Sequence, residues 1–159
     1  MKADSSLYSF LRRLGLAAVA LAIIYLKFGP PSYDEVDLVN EVIYLLIVPF
    51  FLISGTIAIC FLIGLPIRLI PKVFNWWYHH PIIPTLLLVL GISFCFLSIQ
   101  PQFITYQKDL EKIEPAIKQI PNFNILTIGW FLTGFSLTHL YFKPFFNSAL
   151  KVHRFLTPP

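Results

Sequence analysis

Four long apolar runs, joined by connections of contrasting charge, predict an all-α integral membrane protein: a four-transmembrane-helix bundle with both termini in the cytoplasm. The runs cover approximately residues 7–28, 42–65, 82–99 and 123–142. They contain no Asp or Glu and a single histidine, His139. A helix crosses a hydrocarbon core of about 30 Å with roughly 20 residues, so each run is a candidate span. Eight of the twelve basic residues (Lys2, Arg12, Arg13, Arg68, Lys72, Lys143, Lys151 and Arg154) fall at the start of the first run, between the second and third, and after the fourth. The remaining two connections hold Lys27, Lys108, Lys112 and Lys118, offset by Asp34, Glu35, Asp37, Glu41, Asp109, Glu111 and Glu114. Cytoplasmic loops carry the excess of Lys and Arg, which gives an N-in, C-in orientation. The third observation is composition. Hydrophobic residues make up 57% and charged residues 13%, against about 25% charged in soluble domains. One domain over 1–159 is expected, in a bacterial inner (cytoplasmic) membrane. The net charge of +4 belongs to topology and to anionic lipid, and no nucleic-acid partner is expected.

The first run carries Arg12-Arg13 ahead of Leu14–Leu26 and reads as a signal-anchor helix, with its basic residues reaching to the interfaces. After it, Gly29-Pro30-Pro31 stops the helix. Ser32 and Glu35 have capping-box spacing, so a new helix is expected near Tyr33. Pro49 lies inside the second run, where a kink is predicted. Pro66 and Pro71 bracket its exit. The connection to the third run contains Trp76-Trp77-Tyr78, whose side chains suit the headgroup level as membrane-interface anchors in a short interfacial helix.

The external segment 101–121 shows a 3-4-3-4-3 spacing in Phe103, Tyr106, Leu110, Ile113, Ile117 and Ile120. This predicts an external amphipathic helical cap, kinked at Pro115, whose apolar stripe needs a cover. After the fourth run, 144–156 reads as a basic amphipathic helix on the cytoplasmic leaflet.

Chemistry is sparse. Cys60 and Cys95 are the only cysteines. In antiparallel spans they lie about 9 Å and about 20 Å from the same surface, which argues against a disulfide, and both read as packing residues. His79, His80 and His139 fall at similar depth and are weak haem-ligand candidates. His79 and His80 stand in a loop beside Pro81, which suits interfacial polar residues better, so no metal or cofactor is expected. No His-Glu-x-x-His, Gly-x-Ser-x-Gly or phosphate-loop motif occurs, and no span carries the carboxylate that ion pumps and proton-coupled carriers use. The chain lacks the paired cysteines of disulfide-generating membrane oxidoreductases, the first-span acid of small multidrug carriers and the Gly-rich motif of fluoride channels.

Small residues concentrate in the last span, as Gly129-x-x-x-Thr133 and Gly134-x-x-x-Thr138, a pattern that lets helix backbones approach closely. The expected function is non-enzymatic: an accessory, scaffolding or partner-binding subunit, immunity proteins included. Its partner is expected to be another membrane protein or a second copy of itself, met through Phe103, Tyr106, Leu110, Ile113, Ile117, Gly129, Thr133 and Gly134. Two alternatives are a homo-oligomeric channel with Ser and Thr faces around an axis, and a haem- or quinone-linked electron-transfer subunit.

Overall fold

A computed structural model of the chain describes residues 3–28, 42–103, 105–108 and 117–141. Helix α1 (Ala3–Phe28) has no proline and ends on Lys27, a cation placed where the helix dipole favours one. Its buried positions Arg13, Ala17, Leu21, Ile24 and Phe28 are spaced by three or four residues and so form one stripe. The second apolar run begins as a π turn at Ile43–Ile47 and continues as α2 (Val48–Ile63). Pro49 stands at the start of α2, directly after this turn. Proline has no N–H for the carbonyl four residues back, and its ring crowds that carbonyl. The wider turn, closed by Val48 N–H on the Ile43 carbonyl, relieves both problems.

Gly64 ends α2, and Pro66 stands in the first turn of α3 (Leu65–Leu69). Ile70 is extended, and Pro71 opens α4 (Pro71–His79), the short helix expected around the Trp-Trp-Tyr sequence. Proline suits these first-turn positions because no intrahelical acceptor awaits its missing N–H. Helix α5 (Ile82–Leu97) leaves α4 at a bend of 72°. The last helix, α6 (Phe123–His139), is capped by Asn122, whose Oδ1 accepts from the N–H groups of Asn124 and Ile125.

The described residues are mostly helical. Tyr8–Phe28 and Leu45–Ile63 are long and apolar enough to cross a membrane, and α4 with α5 adds a third span if that bent pair counts as one. With 16 and 17 residues, α5 and α6 rise only about 24 and 26 Å.

Helix α6 is the common neighbour, touching α1, α2 and α5. It runs antiparallel to α5. Asn122 N–H donates to the Ser98 carbonyl at 2.9 Å, Gly129 and Thr133 lie against Gly91, and Ser136 Oγ donates to the Pro84 carbonyl. On α2, Trp130 Nε1–H donates to Thr56 Oγ1 at 2.8 Å. Leu21, Ile24, Phe28 and Cys95 form the apolar core, flanked by Ile53, Ile57, Leu126 and Trp130. Both cysteines are buried and free.

The described residues of segment 101–121 depart from the expected helix. Residues Thr105–Lys108 (β1) and Ile117–Ile120 (β2) form an antiparallel pair, with Thr105 opposite Ile120 and Lys108 opposite Ile117. A spacing of three that stacks residues on a helix falls in opposite phases of a strand, so a continuous helical stripe does not exist here. Pro115 blocks a long helix, and the β-branched and aromatic residues at both ends of the segment favour strands. Phe103 is an exposed turn residue after α5. Leu110 and Ile113, the helix expected from Tyr33 and the tail 144–156 lie outside the described residues.

The α5–α6 crossing depends on glycine. A Cβ at Gly129 would meet the Gly91 carbonyl oxygen at 2.7 Å and Cys95 N at 2.8 Å, both backbone atoms that cannot swing away, whereas Gly55 has nothing within 4 Å. Gly129→Ala is therefore expected to destabilise by about 1–3 kcal/mol, the range for overpacking, while Gly55→Ala stays near wild type. Thermal unfolding of the two variants in the same detergent checks this. Equal melting temperatures would refute the crossing.

Candidate functional site

Polar chemistry gathers at one end of the helix assembly, where α1 begins and α2 and α6 end. The last carbonyls of a helix have no partner within it. On α6 two of them are met by side chains from the α2–α5 connection. Trp77 Nε1–H donates to the His139 carbonyl at 3.0 Å, and Arg68 Nη2 donates to the Thr138 carbonyl at 3.4 Å. These bonds draw α3 and α4 onto α6.

His139 is fully buried and stacks on Phe135 with ring centroids 4.6 Å apart. Its Nδ1 bonds to the Phe135 carbonyl at 2.9 Å. A carbonyl only accepts, so Nδ1 carries the proton. Nε2 is buried without a hydrogen-bond partner among the described residues and faces Gly64, where a Cβ would fall inside the imidazole. Glycine is thus required at the α2–α3 break by the ring that fills it.

Two arginines complete the cluster. Arg13 is only 5% exposed; its Nε donates to the Ser9 carbonyl at 3.2 Å and its guanidinium lies 4.4 Å from the Tyr141 ring centroid. Arg68 is half-buried, its guanidinium 4.8 Å from the Phe10 ring and 4.7 Å from Phe61. Burial and the neighbouring Arg13 push Arg68 below its ordinary value, and Tyr141 acts in the opposite direction.

The residues singled out from sequence are dispersed. Gly129, Thr133 and Gly134 are buried against α5, α2 and α1 of the same chain, so their small face is used in internal packing and is closed to a partner. Trp76 is exposed, as an interfacial anchor requires, and Tyr78 is half-buried beside Phe74 and Tyr141. Trp77, by contrast, is turned inward to its bond with His139 rather than outward to headgroups. His79 and His80 are exposed and bond through Nδ1 to the Asn75 and Trp76 carbonyls of their own helix. They do not converge with His139. Among the described residues no group of three or more His, Cys, Asp or Glu is placed to hold a metal.

In the sequence Arg13 and Arg68 stand out only as orientation signals. Arg13 stands four residues before Ala17 on the stripe that continues through Leu21 and Ile24, and that register marks it as inward-facing. No comparable signal exists for Arg68. A separate apolar groove of about 240 Å³ opens at the opposite end, between Ile24, Phe28, Leu52, Leu126 and Trp130.

Gly64→Ala should destabilise the protein, and His139→Ala placed in the same chain should restore part of the loss, since the imidazole is what the new methyl meets. Melting temperatures of the two single variants and the double variant give the coupling energy directly. Additive effects would exclude the contact. Comparison with protein-family models, with curated proteins and with solved structures finds no match for this chain.

Proposed function

We propose that the chain is a multi-pass protein of a bacterial inner membrane that crosses the bilayer four times with both termini cytoplasmic. In this reading it acts, without catalysis of its own, as an accessory or partner-binding subunit of a membrane assembly. The observation that carries the reading is where the helices use their polar groups. Thr133 and Thr138 bond to the carbonyls of Gly129 and Gly134, Ser136 to that of Pro84, Ser98 to that of Cys95, and Thr56 to Trp130. Most of what the helices turn outward is apolar, as with Phe50, Phe51, Leu62, Ile63, Leu86 and Val89, with Ser54, Ser93 and Thr127 exposed among them. Such surfaces suit lipid or the apolar face of another membrane protein.

The same burial weighs against a channel lined by the last helix, because Thr133, Ser136 and Thr138 are almost wholly covered within one chain. The four-span reading takes α5 and α6 as short spans, accommodated by local thinning of the bilayer at a modest cost. Arg13, Arg68 and Lys72 then lie on the cytoplasmic side and the β1–β2 hairpin on the other.

Orientation is tested by an impermeant thiol reagent on intact cells, with Cys60 and Cys95 replaced by alanine. Ser5→Cys, Asn75→Cys and Ser148→Cys should be protected, and Ser32→Cys and Gln107→Cys labelled. Labelling of Asn75→Cys from outside would reverse the topology. Partner binding is tested by copurification from native membranes in mild detergent. The triple variant Leu110→Asp, Ile113→Asp, Ile117→Asp should lose a copurifying membrane protein by tenfold or more while keeping its insertion. Identical copurification by a folded triple variant would remove this segment as the interface.

A further inference from the structure

We propose that Arg13 and Arg68 form a binding site for a phosphate-bearing anion, an anionic lipid headgroup or a free phosphate, at the end of the assembly where α1 begins and α2 ends. Both guanidiniums are held by aromatic faces, Arg13 over Tyr141 and Arg68 against Phe10 and Phe61. Stacking occupies the faces of the guanidinium plane and leaves the N–H groups at its edge for an acceptor. One edge group of each is satisfied, on the Ser9 and Thr138 carbonyls. Among the described residues Arg13 Nη1 and Arg68 Nε are buried donors with no hydrogen-bond partner. The two are brought to one place by the end of α6 and the start of α1: Arg13 lies over Tyr141 while Arg68 donates to the Thr138 carbonyl, and Arg68 lies over Phe10, one turn of α1 before Arg13.

Unpaired buried charge is costly, and two like charges in one place more so. The chain has almost nothing to answer them with. Segments 5–33, 42–108 and 115–159 contain no Asp or Glu. Asp4 stands nine residues before Arg13, about 13 Å along a helix. The proposed ligand supplies that charge from outside the polypeptide. A phosphate presents several strong acceptor oxygens, and the edge of a guanidinium matches them in fork geometry. Basic pockets between helices at the membrane surface bind phosphate headgroups by this chemistry. Arg68 is half-buried, so the pair can be reached at that residue.

The full chain purified in a neutral detergent decides the question in two arms. In one, inorganic phosphate is titrated against chloride of equal ionic strength. In the other, micelles carry phosphatidylglycerol or phosphatidylcholine. Native mass spectrometry and the melting temperature are read in both. Phosphatidylglycerol retained at least tenfold over phosphatidylcholine assigns the site to a lipid headgroup. Stabilisation by inorganic phosphate without lipid selectivity assigns it to a free anion. Equal retention of the two lipids together with no response to phosphate overturns the proposal. Arg13→Gln and Arg68→Gln should each weaken the bound species at least tenfold, and Arg68→Lys, which keeps charge but loses the fork, should fall between. Undiminished binding in both glutamine variants also overturns it, and the wild-type arms decide alone if a variant does not fold. Only the lipid arm rests on the membrane-spanning reading, whose failure would appear separately in the thiol-labelling pattern.

Discussion

The contact of α6 with α5 at Gly91, Gly129 and Thr133 determines where nearly everything else can sit. Between helices in an apolar surrounding there is little hydrophobic drive to associate, because lipid is as apolar as a leucine side chain. Close backbone approach and hydrogen bonds must supply the attraction instead. With no Cβ on Gly91 or Gly129 the two backbones touch, and Cys95 and Thr133 fill the remaining space. The hydroxyls that would otherwise need a partner on another helix turn back onto their own, Thr133 to Gly129 and Thr138 to Gly134. That choice removes polar cost without widening the crossing, and it leaves α6 narrow enough to be touched by α1 and α2 as well.

Once α6 is central, its C-terminal carbonyls become the docking point for the α2–α5 connection. Trp77 and Arg68 satisfy them, and the imidazole of His139 fills the break that Gly64 opens between α2 and α3. The prolines at 66 and 71 divide this connection into pieces short enough to fold back over the end of the assembly. Each device has its own local cause, yet all depend on the depth at which α6 stops.

The helices and their breaks were legible in the sequence because proline, glycine and apolar periodicity act locally. The helix at Pro71–His79 and the small-residue packing of the last helix follow from such signals. The expected outer helical stripe was misread, since a spacing of three and four over Phe103, Tyr106 and Ile117 satisfies a helix on paper. Pro115 and strand-favouring residues on both sides of it make a paired hairpin the better use of the backbone. The inward turn of Trp77 was not legible either. Its neighbour Trp76 has the same chemistry, and only the position of the His139 carbonyl, 62 residues away in sequence, distinguishes the two.

Charge is unevenly distributed along the chain. Seven of the eight acidic residues stand in the two connections at 29–41 and 101–121, leaving only Asp4 elsewhere. Arg13 and Arg68 are half-buried or deeper, and segments 5–33 and 42–108 that carry them contain no Asp or Glu. An orientation signal alone would be met by exposed lysines, which cost little and need no fixed geometry. Arginines stacked on three aromatic rings, with buried donors still free, are a more expensive arrangement than orientation demands. The excess is accounted for if those donors are kept for an anion. The buried hydroxyls of Thr56, Ser98, Thr133, Ser136 and Thr138 are hydrogen-bonded within the chain, whereas the arginine donors left for an anion stand at this end.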